Sequence, residues 1–288
     1  MAEIGRLNGI VRAWEEGRPA LGAFAQADRQ TAIEFSAAPY DGVIFEMEHN
    51  PWDVLALQDS LQYLLNRKQI QSAASLAPKV TPIVRIPPNG SEMNQFLAKQ
   101  ALDRGVYGIV WPHISTVEQA YNAVAACRYP RPADAQYFQP EGARGDGPAN
   151  ASRYWGLSLQ EYYAKADVWP LNPLGEILVI LMIEDVQGVA NLDDMLKSVP
   201  GIGCVLIGEG DLSQELGHPR QYEHPAVKEA MAQVVQTCKK YNVPVGHPHV
   251  TSKNVESILA EGYRLILSAP LRSYAAIEKA RALSGAKA

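Results

Sequence analysis

Hydrophobic residues along this chain gather into short continuous runs, separated by longer stretches where they recur every three or four positions. Continuous runs of that kind fit strands buried on both faces, and the longer spacing fits helices with one apolar side. The runs predict strands at Ala20–Ala25, 42–47, 80–86, 107–111, Ile177–Ile183, 202–207, 243–246 and 264–267. Between them the periodicity predicts helices over 30–38, 52–66, 116–128, 225–241, 252–260 and 273–283, and a further one opened by Ser91 and stopped at Gly105. Asp28 is placed to cap the first of these, as Ser91 is for its own helix. Repeated strand–helix alternation points to a parallel sheet with crossover helices, and eight repeats point to a closed (β/α)8 barrel. A doubly wound open sheet would open on a glycine-rich turn, and the chain has no GxGxxG.

Residues 129–176 break the pattern. The segment is far longer than an ordinary helix-to-strand connection, and it is rich in Pro, Gly and aromatics, among them Tyr129, Tyr137, Phe138, Tyr154, Trp155, Tyr162, Tyr163 and Trp169. That aromatic content argues against a disordered linker. The segment is expected to be an insertion within a single 1–288 domain, acting as a lid over the barrel mouth, a subunit contact, or both. A short amphipathic helix over 157–166 is expected inside it.

Four of the apolar runs end on charged or ionisable residues. They lead into Glu46-Met47-Glu48-His49, Arg85, Glu184-Asp185 and Gly208-Glu209-Gly210-Asp211. The carboxyl ends of barrel strands share one mouth, so these side chains are expected to meet there. Glu184 and Asp211 are the candidate metal ligands, because hard divalent cations (Mg²⁺, Mn²⁺ or Co²⁺) take carboxylate oxygens and keep positions open for substrate. The competing reading of Asp211 is a cap for a helix starting at Leu212.

Period-two alternation puts Glu46 and Glu48 on one side of their strand, and His49 at the strand exit suits acid–base work. Arg85 would bind a carboxylate or enolate oxygen, or pair with Glu46 or Glu48, and the two roles are compatible. His113, His247 and His249 are further candidates for the mouth. Trp111, Trp155 and Trp169 hint at an apolar or ring-bearing substrate part, or are packing.

Composition removes several classes. A net charge of −5 lacks the basic face a nucleic-acid surface needs. The three cysteines, Cys127, Cys204 and Cys238, form no CxxC pair and read as buried free thiols. The start of the chain lacks a signal-peptide pattern, and no run approaches the ~20 apolar residues of a membrane span. The expectation is a cytoplasmic enzyme with a small-molecule substrate.

At the strand-end residues the chain resembles the HpcH/HpaI aldolases, the class II pyruvate aldolases. Segments that carry the resemblance include the stretch from Asp41 to His49, Pro82-Ile83-Val84-Arg85, Ala101-Leu102-Asp103-Arg104-Gly105, Ile183-Glu184 and the stretch from Ile207 to Ser213. The resemblance implies a (β/α)8 barrel of the phosphoenolpyruvate/pyruvate-binding type, with a divalent metal held by Glu184 and Asp211. It implies pyruvate bound with help from backbone amides around Gly210, Arg85 steadying the enolate oxygen, and His49 as the acid–base group oriented by the residue at Glu46. It also implies homo-hexamers built as trimers of dimers, in which Asp103 reaches the neighbouring subunit's site and the last helix is exchanged.

The implied reaction is aldol cleavage or condensation of a 4-hydroxy-2-oxo acid to pyruvate and an aldehyde. Oxaloacetate decarboxylation of the macrophomate synthase kind and a non-catalytic binding barrel are the alternatives. The chain departs from the family pattern at Glu46 (aspartate in relatives), Met182 (glutamine), Glu209-Gly210 (Pro-Ala) and Leu267-Ser268-Ala269-Pro270.

Overall fold

The computed structural model describes residues 4–88, 93–268 and 274–285. Its strands are β1 (Ala20–Ala25), β2 (Gly42–Glu46), β3 (Thr81–Arg85), β4 (Gly108–Trp111), β5 (Val168–Trp169), β6 (Ile177–Ile183), β7 (Cys204–Ile207), β8 (Val245–His247) and β9 (Leu265–Ser268). All pairings are parallel, β1 lies between β2 and β9, and β4 pairs with β6 to close a ring of eight strands. The two-residue β5 stands outside that ring and pairs with the start of β6. The (β/α)8 barrel is therefore observed. Every residue of β6 is buried, as a strand covered by helices on one side and the barrel interior on the other requires.

Helices follow the strands largely where the periodicity places them, with ends moved by a few residues. Asp28 caps Arg29–Phe35 through its bond from the Thr31 amide, and Thr116 with Gln119 forms a capping box on Val117–Ala126. The predicted helix over 52–66 is observed as Val54–Leu64, and a second helix that the periodicity did not predict, Arg67–Ala73, follows it with Asn66 as its cap. Val186–Ser198, capped by Asp185, and the short Gly9–Glu15 and Ala149–Trp155 escape the periodicity argument. The Ser91 cap, Ala269-Pro270 and the predicted start of the last helix at Ser273 lie outside the described residues. The final helix, Ala275–Ser284, packs on its own chain, with Arg281 donating to the Pro39 carbonyl.

The amino ends of the strands are closed. Helix Gly9–Glu15 lies against them, its first amide donating to Thr81 Oγ1 at 2.7 Å. Gly42 permits this approach, since a Cβ there would stand 2.5 Å from Ile10 Cδ1. Beside it the 129–176 segment is folded around two buried arginines. Arg128 reaches Asp167 at 2.7 Å and the carbonyls of Tyr137 and Pro140, and Arg144 reaches Asp103 and the Tyr162 hydroxyl. Trp155 stacks on Tyr107 with ring centroids 4.3 Å apart and donates to the Gly105 carbonyl, both just before or at the start of β4. The insertion therefore packs beneath the barrel. The lid reading is corrected: no residue of 129–176 lines the mouth cavity among the described residues. The physical reason is topological, because a helix-to-strand connection returns the chain to the amino ends of the strands.

Candidate active site

The register of β2 and β3 sets Glu46 opposite Arg85. Both end their strands, so both project into the mouth. Arg85 Nε donates to Glu46 Oε2 at 2.6 Å, and its Nη1 lies 2.8 Å from Glu48 Oε2. Its guanidinium also sits 4.9 Å from the centre of the Phe24 ring and 3.4 Å from Met182 Sδ. The arginine is thus held on several sides by groups that the strand ends bring together. Glu46 and Glu48 both meet Arg85, although β2 ends at Glu46 and Glu48 lies beyond the strand to which the alternation assigned it.

Glu184 directly follows β6 and is almost fully buried. His113, just beyond β4, has φ +53°, a left-handed conformation unusual for a side chain of its size. That backbone turns its amide onto Glu184 Oε1 at 2.6 Å, with the ring Nδ1 3.6 Å from the same oxygen and Nε2 3.5 Å from Glu48 Oε1. Glu48, His113 and Glu184 each offer a ligand atom within 4.8 Å of the other two.

Electrostatics follow from the geometry. The contact with the Glu48 carboxylate, against the opposing effect of burial, raises His113 to about 9, with Glu184 adding to the rise. Burial, reinforced by the Glu48 and Asp211 charges, pushes Glu184 up to about 7 even though His113 pulls it down. Burial acts upward on Glu48 as well, but the bond with His113 and the Arg85 charge bring it below its ordinary value.

Asp211 lies in the first turn of helix Glu209–Glu215, which opens at Gly208 without a side-chain cap. It sits inside the helix, so capping does not account for it. A Cβ on Gly208 would stand 2.5 Å from Glu184 Cβ, so only glycine leaves that carboxylate its place. A cavity of about 480 Å³ joins Arg85, Glu184 and Asp211 with Glu46, His49, Gly210, Met182 and Phe24. No lysine lines it among the described residues.

Other predicted site residues are placed differently. The His49 ring is 68% exposed and 3.7 Å from Glu48, while Glu46 accepts the His49 backbone amide instead of orienting the ring. Trp111 is fully buried beneath the strands and does not reach the cavity. Asp103 follows helix Gln95–Leu102 toward the amino ends and is held at 3.0 Å by Arg144, away from this chain's mouth. All three cysteines are buried and free.

Glu209, Tyr222 and Arg220 also line the cavity and were not among the candidates. The substitution of an acidic residue at Glu209 for the relatives' proline was the one available signal.

An eight-stranded parallel barrel with carboxylates and an arginine gathered at its strand ends defines a (β/α)8 barrel whose ionisable groups sit at the mouth, where barrel enzymes carry their active sites. Residues 21–269 match the family described as HpcH/HpaI aldolase/citrate lyase, and the chain belongs to that family. It is 30% identical over 237 residues to the 2-dehydro-3,6-dideoxy-6-sulfogluconate aldolase of Pseudomonas putida, covering 82% of this chain and 80% of that protein. It is also 30% identical to the hydroxypyruvate/pyruvate aldolase of Roseobacter denitrificans, covering 81% and 78%. Among solved structures, an HpcH/HpaI aldolase/citrate lyase family protein from Burkholderia cenocepacia J2315 superposes with a TM-score of 0.74 at 26% identity, covering 98% of this chain and all of that one.

Proposed function

We propose that the protein is a divalent-metal-dependent aldolase that splits a 4-hydroxy-2-oxo acid into pyruvate and an aldehyde, or joins them in reverse. The observation that carries this reading is the shared mouth cavity, in which Arg85, Glu184 and Asp211 stand together without a lysine. Its curated relatives are named as aldolases of 2-oxo acids, which supports the same reaction class.

The donor set fits a hard cation. Glu184 and Asp211 would hold it, with Glu48 and His113 close to Glu184. A buried carboxylate raised to about 7 beside two more carboxylates is a site short of positive charge. When bound, Mg²⁺, Mn²⁺ or Co²⁺ supplies Lewis-acid polarisation of the 2-oxo acid's carboxylate and keto oxygens.

The chain's own residues do the rest. In cleavage the 4-hydroxyl loses its proton, the C3–C4 bond breaks, and its electron pair becomes the C2–C3 double bond of the pyruvate enolate. Arg85 would face the oxygen on which charge develops, and Glu46 and Glu48 fix its guanidinium before substrate arrives. The Gly210 backbone lies where the substrate carboxylate would meet the start of a helix, a position that favours an anion. A proton returned to C3 completes pyruvate. No lysine lines the cavity among the described residues, and the reaction as proposed needs no Schiff base.

Deuterium exchange at the methyl group of pyruvate, followed by proton NMR in D2O, tests the reading. Exchange that requires added Mn²⁺ or Mg²⁺ and disappears with a chelator is the expected result. Metal-loaded protein that neither exchanges pyruvate nor decarboxylates oxaloacetate would sink it. The same proposal includes a cytoplasmic homo-hexamer, a trimer of dimers with Asp103 at a neighbouring subunit's site. Light scattering on the purified protein decides the assembly.

A further inference from the structure

The carboxyl ends of β7 and β8 hold a second group of ionisable side chains that the metal–enolate chemistry leaves unused. Glu209, the first residue of its helix, is 2% exposed. Its Oε1 engages His249 Nδ1, and its Oε2 lies 3.6 Å from His247 Nε2. The His249 amide donates to His247 Nδ1 at 3.2 Å. An imidazole that accepts at Nδ1 carries its proton on Nε2 when neutral, and burial favours the neutral form of His247. His247 therefore presents N–H to one oxygen of Glu209 and leaves the other for His249. With Nδ1–H of His249 held by a carboxylate, its Nε2 is the basic nitrogen.

Orientation and access agree with that tautomer. The His249 ring stacks on Tyr222 at 5.6 Å with planes 16° apart, which sets its direction. Its carboxylate partner is buried, while the ring itself is 57% exposed. Glu209, Tyr222 and His249 line the cavity shared by Arg85, Glu184 and Asp211, and also a neighbouring cavity of about 230 Å³ that runs back to Tyr263. His49, on the opposite wall, has no carboxylate to itself. The nearest, Glu48, already faces Arg85 and His113.

We propose that His249, oriented by Glu209 and stacked on Tyr222, is the histidine that moves the proton at C3 of the 2-oxo acid. The proposal rests on the aldolase reading above. Nε2 takes a proton from C3, the C–H electron pair becomes the C2–C3 double bond, and the carbonyl pair moves onto oxygen. In the return step the imidazolium gives a proton back to C3 and the enolate collapses to the ketone. His249 is then a catalytic residue and Glu209 a positioning residue.

Two reactions of the full-length Mn²⁺-loaded enzyme separate this role from the rest of the site. Pyruvate methyl exchange needs a base, whereas oxaloacetate decarboxylation reaches the same enolate by losing carbon dioxide, with no proton removed from carbon. His249→Gln is expected to lower the ratio of exchange to decarboxylation by roughly 100-fold, with Glu209→Gln lowering it in the same direction. His49 also lines the cavity, so His49→Gln should move exchange and decarboxylation together and leave their ratio near the wild-type value.

Nitrogen-15 NMR of the metal-free protein gives a readout apart from turnover: neutral His249 should carry its proton on Nδ1. If His249→Gln does not fold, Glu209→Gln, nearly equal in volume to the native residue, carries the same comparison. An unchanged ratio, a loss confined to His49→Gln, or a proton on Nε2 overturns the proposal. A wild-type protein inactive in both reactions overturns the aldolase reading and the proposal with it.

Discussion

Glu46 and Arg85 face each other across β2 and β3 as register partners, and their side chains meet at 2.6 Å. The pairing makes the arginine's position a property of the sheet. Substrate need not order a long flexible side chain, so the entropy of fixing it is spent on folding.

Arg85→Lys should therefore lose more than a change of charge-bearing group suggests. A lysine keeps the charge but cannot satisfy two carboxylates in one plane and present a further donor. Losing one donor to a developing oxyanion costs about 10²–10³ in kcat, and that range is expected for oxaloacetate decarboxylation. Glu46→Gln, which loosens the arginine without removing it, should act mainly on KM. A steady-state comparison of the two variants checks both statements.

Metal affinity should follow the carboxylates. Glu184→Gln is expected to weaken Mn²⁺ binding by more than the roughly 10–100-fold typical of losing an outer partner. Gly208→Ala should weaken it too, because the new Cβ meets Glu184 directly. Calorimetric titration of Mn²⁺ into each variant measures the loss, and equal affinity in Glu184→Gln would remove that residue from the ligand set.

Stability of the metal-free protein should fall as pH rises. Glu184 is raised from 4.5 to about 7 and His113 from 6.5 to about 9, so the folded state binds more protons than the unfolded one between those limits. The contribution of Glu184 is present below about 4.5 and lost through about 7, and that of His113 is present below about 6.5 and lost through about 9. A divalent cation competes with those protons, so its stabilising effect should grow from pH 6 to pH 8. Melting curves with and without Mn²⁺ across that range give the sign, and a stabilisation that shrinks with pH would contradict it.

The buried arginine that anchors the insertion, Arg128, should matter for folding and little for the mouth. Removing one partner of a buried pair typically costs about 3–5 kcal/mol, and Arg128→Leu leaves Asp167 with only Arg131 and Asn172. Urea denaturation should register that loss, while KM for oxaloacetate should stay at the wild-type value in the folded protein.

Much of the barrel was legible because its strands are continuous apolar runs bounded by polar residues, a pattern set by burial on both faces. Ile177–Ile183 emerges with the predicted ends. Helix ends were less legible: Asn66 reads as the last residue of one helix, yet its side chain starts another. The strand-end rule anticipated that Arg85, Glu184 and Asp211 line one cavity, since projection into the mouth depends only on where a strand stops. It could not find the Glu209–His249 contact, whose partners are 40 residues apart and meet only through the adjacency of β7 and β8. Trp111 misled because a tryptophan at a strand end can face either the mouth or the surrounding packing, and here it is fully buried and does not line the mouth cavity.

The insertion beneath the barrel separates two kinds of evolutionary freedom. Segment 129–176 anchors to Asp103, Gly105 and Tyr107, all remote from the strand ends that hold Glu184 and Asp211. Its length and aromatic content can drift with the demands of folding without reshaping this chain's own cavity, so long as Arg144 keeps its hold on Asp103. On the reading proposed above, a relative lacking the whole insertion would keep the same proton-moving group if it kept Glu209, Tyr222 and His249.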